Sequence, residues 1–139
     1  MRFNNLSYTP NYITKLGPKD IFVFGSNLKG MHNGGAAALA RKWGAIMGQG
    51  EGLQGQTYAI PTMFSTFQEI KPYVDRFIEF AKNNPEKNFL VTKIGCGIAA
   101  FEETDIAPLF TQVVDESILN VSLPETFIGI ICGNNLAID

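Results

Sequence analysis

One stretch constrains this chain more than any other: a short apolar run that breaks abruptly into glycine and then into alanine. Asp20-Ile21-Phe22-Val23-Phe24 leads into Gly25-Ser26-Asn27, and the sequence resumes at Gly34-Gly35-Ala36-Ala37-Ala38-Leu39-Ala40-Arg41. Four consecutive apolar residues, Ile21 to Phe24, predict a strand buried on both faces. The alanine-rich segment predicts a helix over about 35–46, with Ala37, Leu39, Ala40, Trp43 and Ile46 toward the interior. Strand, glycine loop and helix together present backbone N–H groups to an anion. The first amides of a helix have no partner within it, and Gly34 and Gly35 leave no Cβ in the way of a phosphate.

The rest of the chain alternates between the same two kinds of element. Residues 1–19 read as polar and turn-rich, with 12–16 open between a short strand and one helical turn. Gly48, Gly50, Gly52 and Gly55 fall within eight residues, which predicts irregular structure, either a flexible connection or a second bare-backbone surface for a ligand. Tyr58 to Thr62 predicts a strand. Ile70, Val74, Phe77, Ile78 and Ala81 recur at helical spacing and predict a helix over 68–83, with Pro72 in its first turn. Asn88 to Ile94 predicts a second central strand, followed by Gly95-Cys96-Gly97-Ile98-Ala99-Ala100-Phe101. A helix over 104–118 is expected to start irregularly at Pro108, and 120–123 to form an edge strand. Residues 125–132 satisfy strand propensity and a helix start equally. This alternation predicts one α/β domain spanning 1–139: a three-layer α/β/α sandwich around a central mixed sheet. Ligands of such sheets gather beyond the carboxyl ends of the strands, which brings the loops at 25–35 and 95–101 to one edge.

Composition excludes several function classes. The formal net charge of −2 gives no broad basic surface for nucleic acid. No apolar run approaches the roughly 20 residues needed to span a bilayer. The N-terminus lacks the apolar core of a signal peptide, so a cytoplasmic protein is expected. Two isolated cysteines and one histidine offer no metal-ligand spacing, and neither a metal nor a cofactor is expected. No Gly-Lys-Ser or Gly-Lys-Thr closes either glycine stretch, and Gly30, Gly34 and Gly35 have the wrong spacing for a dinucleotide fingerprint. The oligomeric state is left open.

Phe24-Gly25-Ser26-Asn27 followed by Gly34-Gly35-Ala36-Ala37 resembles the strand–Asn–Gly-Gly–helix signature of macro domains, which bind ADP-ribose and in some cases hydrolyse its derivatives. Ile94-Gly95-Cys96-Gly97-Ile98-Ala99 resembles their second phosphate loop. Nearly all of 12–124 is similar to a group of small macro-like proteins of phages and bacteria. The resemblance implies a small-molecule nucleotide ligand of the ADP-ribose or NAD-derivative type. It places Asn27 on the distal ribose, Gly34, Gly35 and Ala36 along the ligand, and Gly95, Cys96, Gly97, Ile98 and Ala99 around the diphosphate. Two departures stand out. The Asp that recognises adenine in those domains has no counterpart before Asp20, and Ala100 stands where their loop has Gly.

Individual candidates carry two readings each. Asn27 either contacts ribose or water, or stabilises its own turn. His32 is a candidate general base or ligand contact, with an unperturbed pKa of about 6.5, or a solvated loop residue. Cys96 is a nucleophile at a strand end, or a small residue suited to a tight loop. Glu51 orients a water or is simply solvated. Phe101 stacks on a base or ribose, or plugs the core. Gly25 and Ser26 complete the ligand-facing set. Hydrolysis would fall to Asn27 and His32, although no acid/base pair is assembled in the sequence. The competing reading is a non-catalytic interaction or regulatory protein of phage origin that keeps the fold.

Overall fold

The computed structural model describes residues 2, 3 and 6–133. Among these the strands β1 (Arg2–Phe3), β2 (Leu6–Thr9), β3 (Asp20–Ser26), β4 (Gly52–Gln54), β5 (Thr57–Pro61), β6 (Asn88–Val91) and β7 (Val121–Pro124) form one sheet in the order β1-β2-β7-β6-β3-β5-β4. The four pairings from β2 to β5 are parallel; β1 and β4 are antiparallel at the two edges. The chain is thus α/β with a mixed sheet. Its helices are α1 (Gly35–Ala40), α2 (Lys71–Lys82), α3 (Glu103–Ile106), α4 (Thr111–Asp115) and α5 (Glu125–Gly133).

Strand β3 shows why the apolar run is continuous. It pairs with β5 on one side and β6 on the other. Ile21 and Val23 join one buried cluster, Phe22 and Phe24 the other. Side chains of a strand alternate between faces, so a strand covered on both must be apolar throughout. In the larger cluster α2 contributes Val74, Phe77, Ile78 and Ala81, the three- and four-residue spacing that puts them on one helix face. The Phe77 ring meets Tyr58 and Phe89 edge-on at 5.1 and 5.5 Å. In the smaller cluster Ala37 and Ala40 of α1 press against Phe22 and Phe24. Trp43 closes the end, 5.0 Å from the Phe22 ring.

Several boundaries differ from the sequence expectation. Helix α1 gives way to a 3₁₀ turn at Arg41–Trp43 and stops at Gly44, which is left-handed at φ +111. Ile46 is consequently exposed rather than interior, and Leu39, inside α1, lies on its exposed face, with Ala37 and Ala40 on the buried one. The glycine-rich segment is not wholly irregular, since Gly52–Gln54 is edge strand β4. Leu6–Thr9, read as turn-rich, is strand β2, and 12–16 forms neither strand nor helix. Strand β7 lies between β2 and β6, not at an edge. The ambiguous final segment is helical over Glu125–Gly133, burying Phe127, Ile128, Ile131 and Cys132 on one side. Packing here overrides strand propensity. Pro108 does break the helix start: a 3₁₀ segment at Ala107–Phe110 separates α3 from α4.

Three glycines of 44–55, Gly44, Gly50 and Gly55, serve main-chain packing. A Cβ at Gly50 would overlap the carbonyls of Asn27 and Leu28, and one at Gly30 would overlap the main chain at Gln49. Gly44 and Gly55 meet the same way, a Cβ on Gly44 falling 2.9 Å from the Gly55 Cα. Gly48 N donates to Gly30 O at 2.9 Å across this contact. Gly50→Ala is therefore expected to destabilise the fold by about 3 kcal/mol, the upper range of overpacking costs. Denaturant unfolding checks this, and a loss below about 1 kcal/mol would mean that the two segments can part freely.

Candidate functional site

Because β3, β5 and β6 run parallel, their carboxyl ends share one edge, and the loops leaving them meet there. The end of β3, the loop after it and the start of α1 supply lining residues between Gly25 and Ala37, β5 is followed by Thr62 and Met63, and the loop after β6 supplies Thr92 to Gly95 and Gly97 to Ala99. Together these segments enclose a cavity of about 330 Å³. The two glycine loops touch, since a Cβ on Gly34 would lie 3.2 Å from Ile98 Cδ1.

Each loop leaves amides unspent. Ala38 N is the first bonded back into the helix, to Gly34 O at 3.2 Å, so the amides of 34–37 are free of helix bonds, as at any helix start. In the second loop Ala100 N bonds Gly97 O at 2.9 Å and Phe101 N bonds Gly95 O at 2.8 Å. That closes the turn while the amides of Gly97, Ile98 and Ala99 have no partner among the described residues. Gly95 takes φ +77, and Ala100 takes φ +65 without glycine's freedom.

Of the residues picked from the sequence, Gly25, Ser26 and Asn27 line the cavity, as do Gly34, Gly35 and Ala36 across from Gly95, Gly97, Ile98 and Ala99. The Asn27 amide is engaged with its own loop: Nδ2 donates to Met31 O at 3.1 Å and Oδ1 accepts from Met31 N at 2.9 Å. That is the turn-stabilising role.

Four candidates lie elsewhere. His32 is fully buried behind the loop, edge-on to Phe24 at 5.1 Å, with Nε2 3.0 Å from Gln49 O. A carbonyl only accepts, so Nε2 carries the proton; Nδ1 has no partner among the described residues. His32 braces the loop against Gln49, and the expectation of a solvated or ligand-facing histidine is corrected. Cys96 turns away from the cavity and packs against the larger core cluster, its Sγ 3.5 Å from Ile94 O. Burial, with a smaller push from Glu103, raises its thiol to about 11. Phe101 packs on the core, 6.4 Å from Phe67. Glu51 pairs with Arg76 at 2.8 Å, in a separate groove beside Tyr58.

A larger cavity of about 640 Å³ adjoins the first, and the two share Ala36, Thr92 and Lys93 as a common wall. It runs past the carboxyl ends of β2 and β7, between residues 9–14 and the Leu39–Lys42 side of α1. Sequence reasoning missed this half of the cleft together with Thr62, Thr92 and Lys93. Lys93 had a signal, being a cation at the carboxyl end of a predicted central strand. Its Nζ is 3.5 Å from Glu103 in the structure. Among the described residues neither cavity is lined by a carboxylate, an imidazole or a thiol, and no cluster that could hold a metal ion is present. No described helix is long and apolar enough to cross a membrane.

No protein-family model matches this sequence, and neither a curated protein nor a solved structure matches it.

Two outcomes follow from the loop after β6. Left-handed backbone costs a non-glycine residue about 1–2 kcal/mol, and glycine gives back about 0.5–1 kcal/mol in unfolded-state entropy. Ala100→Gly is thus expected to raise Tm by about 2 °C, and an unchanged or lowered Tm would show that Ala100 is unstrained. For Cys96, the upward shift cuts its thiolate about a hundredfold, while a more basic thiolate attacks roughly tenfold faster. Alkylation at pH 8, followed peptide by peptide, should run about tenfold slower in the native protein than in a free peptide. Faster labelling would restore Cys96 as a nucleophile.

Proposed function

We propose that this chain binds a nucleotide diphosphate of the ADP-ribose or NAD-derivative type, in a three-layer α/β/α, macro-domain-like fold. The observation that carries the reading is the meeting of the two glycine loops across one cavity, each with amides left unbonded. A diphosphate is a compact dianion, and several N–H donors converging on it from two sides form strong, charge-assisted hydrogen bonds. Lys93, on the wall common to both cavities, adds a cation where the diphosphate passes between them. The sugar beyond the diphosphate lies by Asn27 and Met31. The nucleoside half lies in the larger cavity, whose walls include Ile13, Phe22 and Leu39.

Binding is favoured over turnover. General acid–base hydrolysis needs a side chain that moves a proton within hydrogen-bond reach of the ligand. Among the described lining residues there is no carboxylate, imidazole or thiol, the titratable side chains being Tyr12, Lys42 and Lys93, and His32 and Cys96 face elsewhere.

The test is a thermal shift with ADP-ribose, NAD and ADP. At a hundredfold excess over Kd a ligand adds about 2.7 kcal/mol, a rise of roughly 8 °C for a chain of this size. Gly34→Val should abolish the rise. Gly34 has extended backbone (φ −148, ψ 164), which valine adopts freely, and a Cβ there meets only the end of the exposed Ile98 side chain, at 3.2 Å, so the variant is expected to keep its unliganded Tm. A midpoint unmoved by millimolar amounts of all three ligands overturns the reading, and a shift that persists in Gly34→Val overturns the loop assignment.

A further inference from the structure

We infer that the ligand carries a third phosphate, on the ribose of its nucleoside half, so that the cleft takes a 2′-phosphorylated, NADP-type derivative in preference to its unphosphorylated counterpart. This rests on the nucleotide-diphosphate reading and adds the identity of one ligand group.

The argument begins with charge. The chain as a whole has a net charge of −2, yet the described lining of the joined cleft holds Lys42 and Lys93 and no carboxylate. A bare ribose hydroxyl is a donor that calls for an acceptor such as Asp or Glu. A ribose phosphate is repelled by that acceptor and calls for a cation in its place. The cleft is built in the second way. The two lysines are also placed differently. Lys93 lines both cavities, where the diphosphate passes, whereas Lys42 lines only the larger one. A single diphosphate leaves Lys42 without an anion; a separate phosphate at the nucleoside end supplies it.

Lys42 is free to serve. Its Nζ is 3.4 Å from Thr14 O and 4.9 Å above the Trp43 ring. Lys71, Lys82, Lys87 and Lys93 pair with carboxylates, while Lys42 has no such partner among the described residues. The stack on Trp43 holds the ammonium near the cavity without neutralising it. Thr9, lining the same cavity and 6% exposed, keeps its hydroxyl oxygen buried without a hydrogen-bond partner among the described residues. Such a group gains most from a polar ligand atom.

Calorimetric titration at fixed ionic strength tests this with two matched pairs: 2′-phospho-ADP-ribose against ADP-ribose, and NADP⁺ against NAD⁺. The phosphorylated member is expected to bind about tenfold more tightly, as a charge-assisted contact in a half-open cleft allows. In Lys42→Gln, an exposed position whose change leaves the unliganded Tm in place, that ratio should fall to about one. A preference in either pair supports the assignment, and the pair that shows it tells whether the ligand keeps its nicotinamide. Equal affinity within both pairs, or a preference that survives Lys42→Gln, overturns the third phosphate and leaves the diphosphate reading standing. No binding by any of the four overturns both.

Discussion

The cleft depends on a contact between two stretches of bare main chain. Residues 27–30 lie directly on 48–50, with Gly30 and Gly50 so close to the opposing backbone that neither has room for a Cβ. Close-packed backbone must still satisfy its polar groups. It does so through Gly48 N to Gly30 O, through Gln54 Nε2 to Gln49 O at 2.9 Å, and through His32 Nε2 on that same Gln49 carbonyl. Asn27 then ties its own loop through both ends of its amide to Met31. The loop that faces the cavity is thereby held from behind, and its exposed side need make no internal contacts. A preorganised loop loses little entropy when a ligand arrives, so more of the contact energy appears as affinity.

The sheet sets where that loop points. Strand β3 sits between β5 and β6 with both faces covered, and its phenylalanines bear on α1 while Ile21 and Val23 face the cluster that α2 completes. Parallel neighbours deliver their carboxyl ends to the same edge, so the loops after β3 and β6 converge although about seventy residues separate them in sequence.

Much of this was legible because it rests on local periodicity. The continuous run at 21–24 and the 3.6-residue pattern of α2 each have one solution. The meeting of the two loops followed from topology, once strands were seen to alternate with helices. What escaped was set by contacts that sequence does not display. Helix α1 stops short because Gly44 must fit against Gly55, and nothing near residue 44 names residue 55 as its neighbour. The glycines of 48–55 suggested ligand or flexibility; Gly48 and Gly50 meet the first loop instead, and Gly55 meets Gly44. His32 looked like a group for solvent or ligand because its neighbours are polar, yet its burial depends on Phe24 beneath it and on Gln49 across the loop contact. The half of the cleft along 9–14 was invisible because those residues carry no regular pattern, and only strand β2 brings them beside α1.

The balance of charge in the cleft bears on what a ligand must be. Amides and lysines attract anions without regard to their shape, so affinity alone separates phosphates poorly from one another; discrimination comes from where the positive groups stand. In this chain the free amides cluster around the smaller cavity, Lys93 stands at the junction, and Lys42 stands in the larger chamber beyond it. An anion that filled only the smaller cavity would leave the lysine of the larger one without a counter-charge and its apolar wall of Ile13, Phe22 and Leu39 facing water. On the proposed reading, a ligand with charge at two separated places on one ribose, and a base beside them against the apolar wall, uses all of it. On that reading the arrangement selects for length and charge spacing as well as for phosphate. The lack of a carboxylate along the described wall sharpens that selection, because no group there rewards a neutral sugar over a charged one.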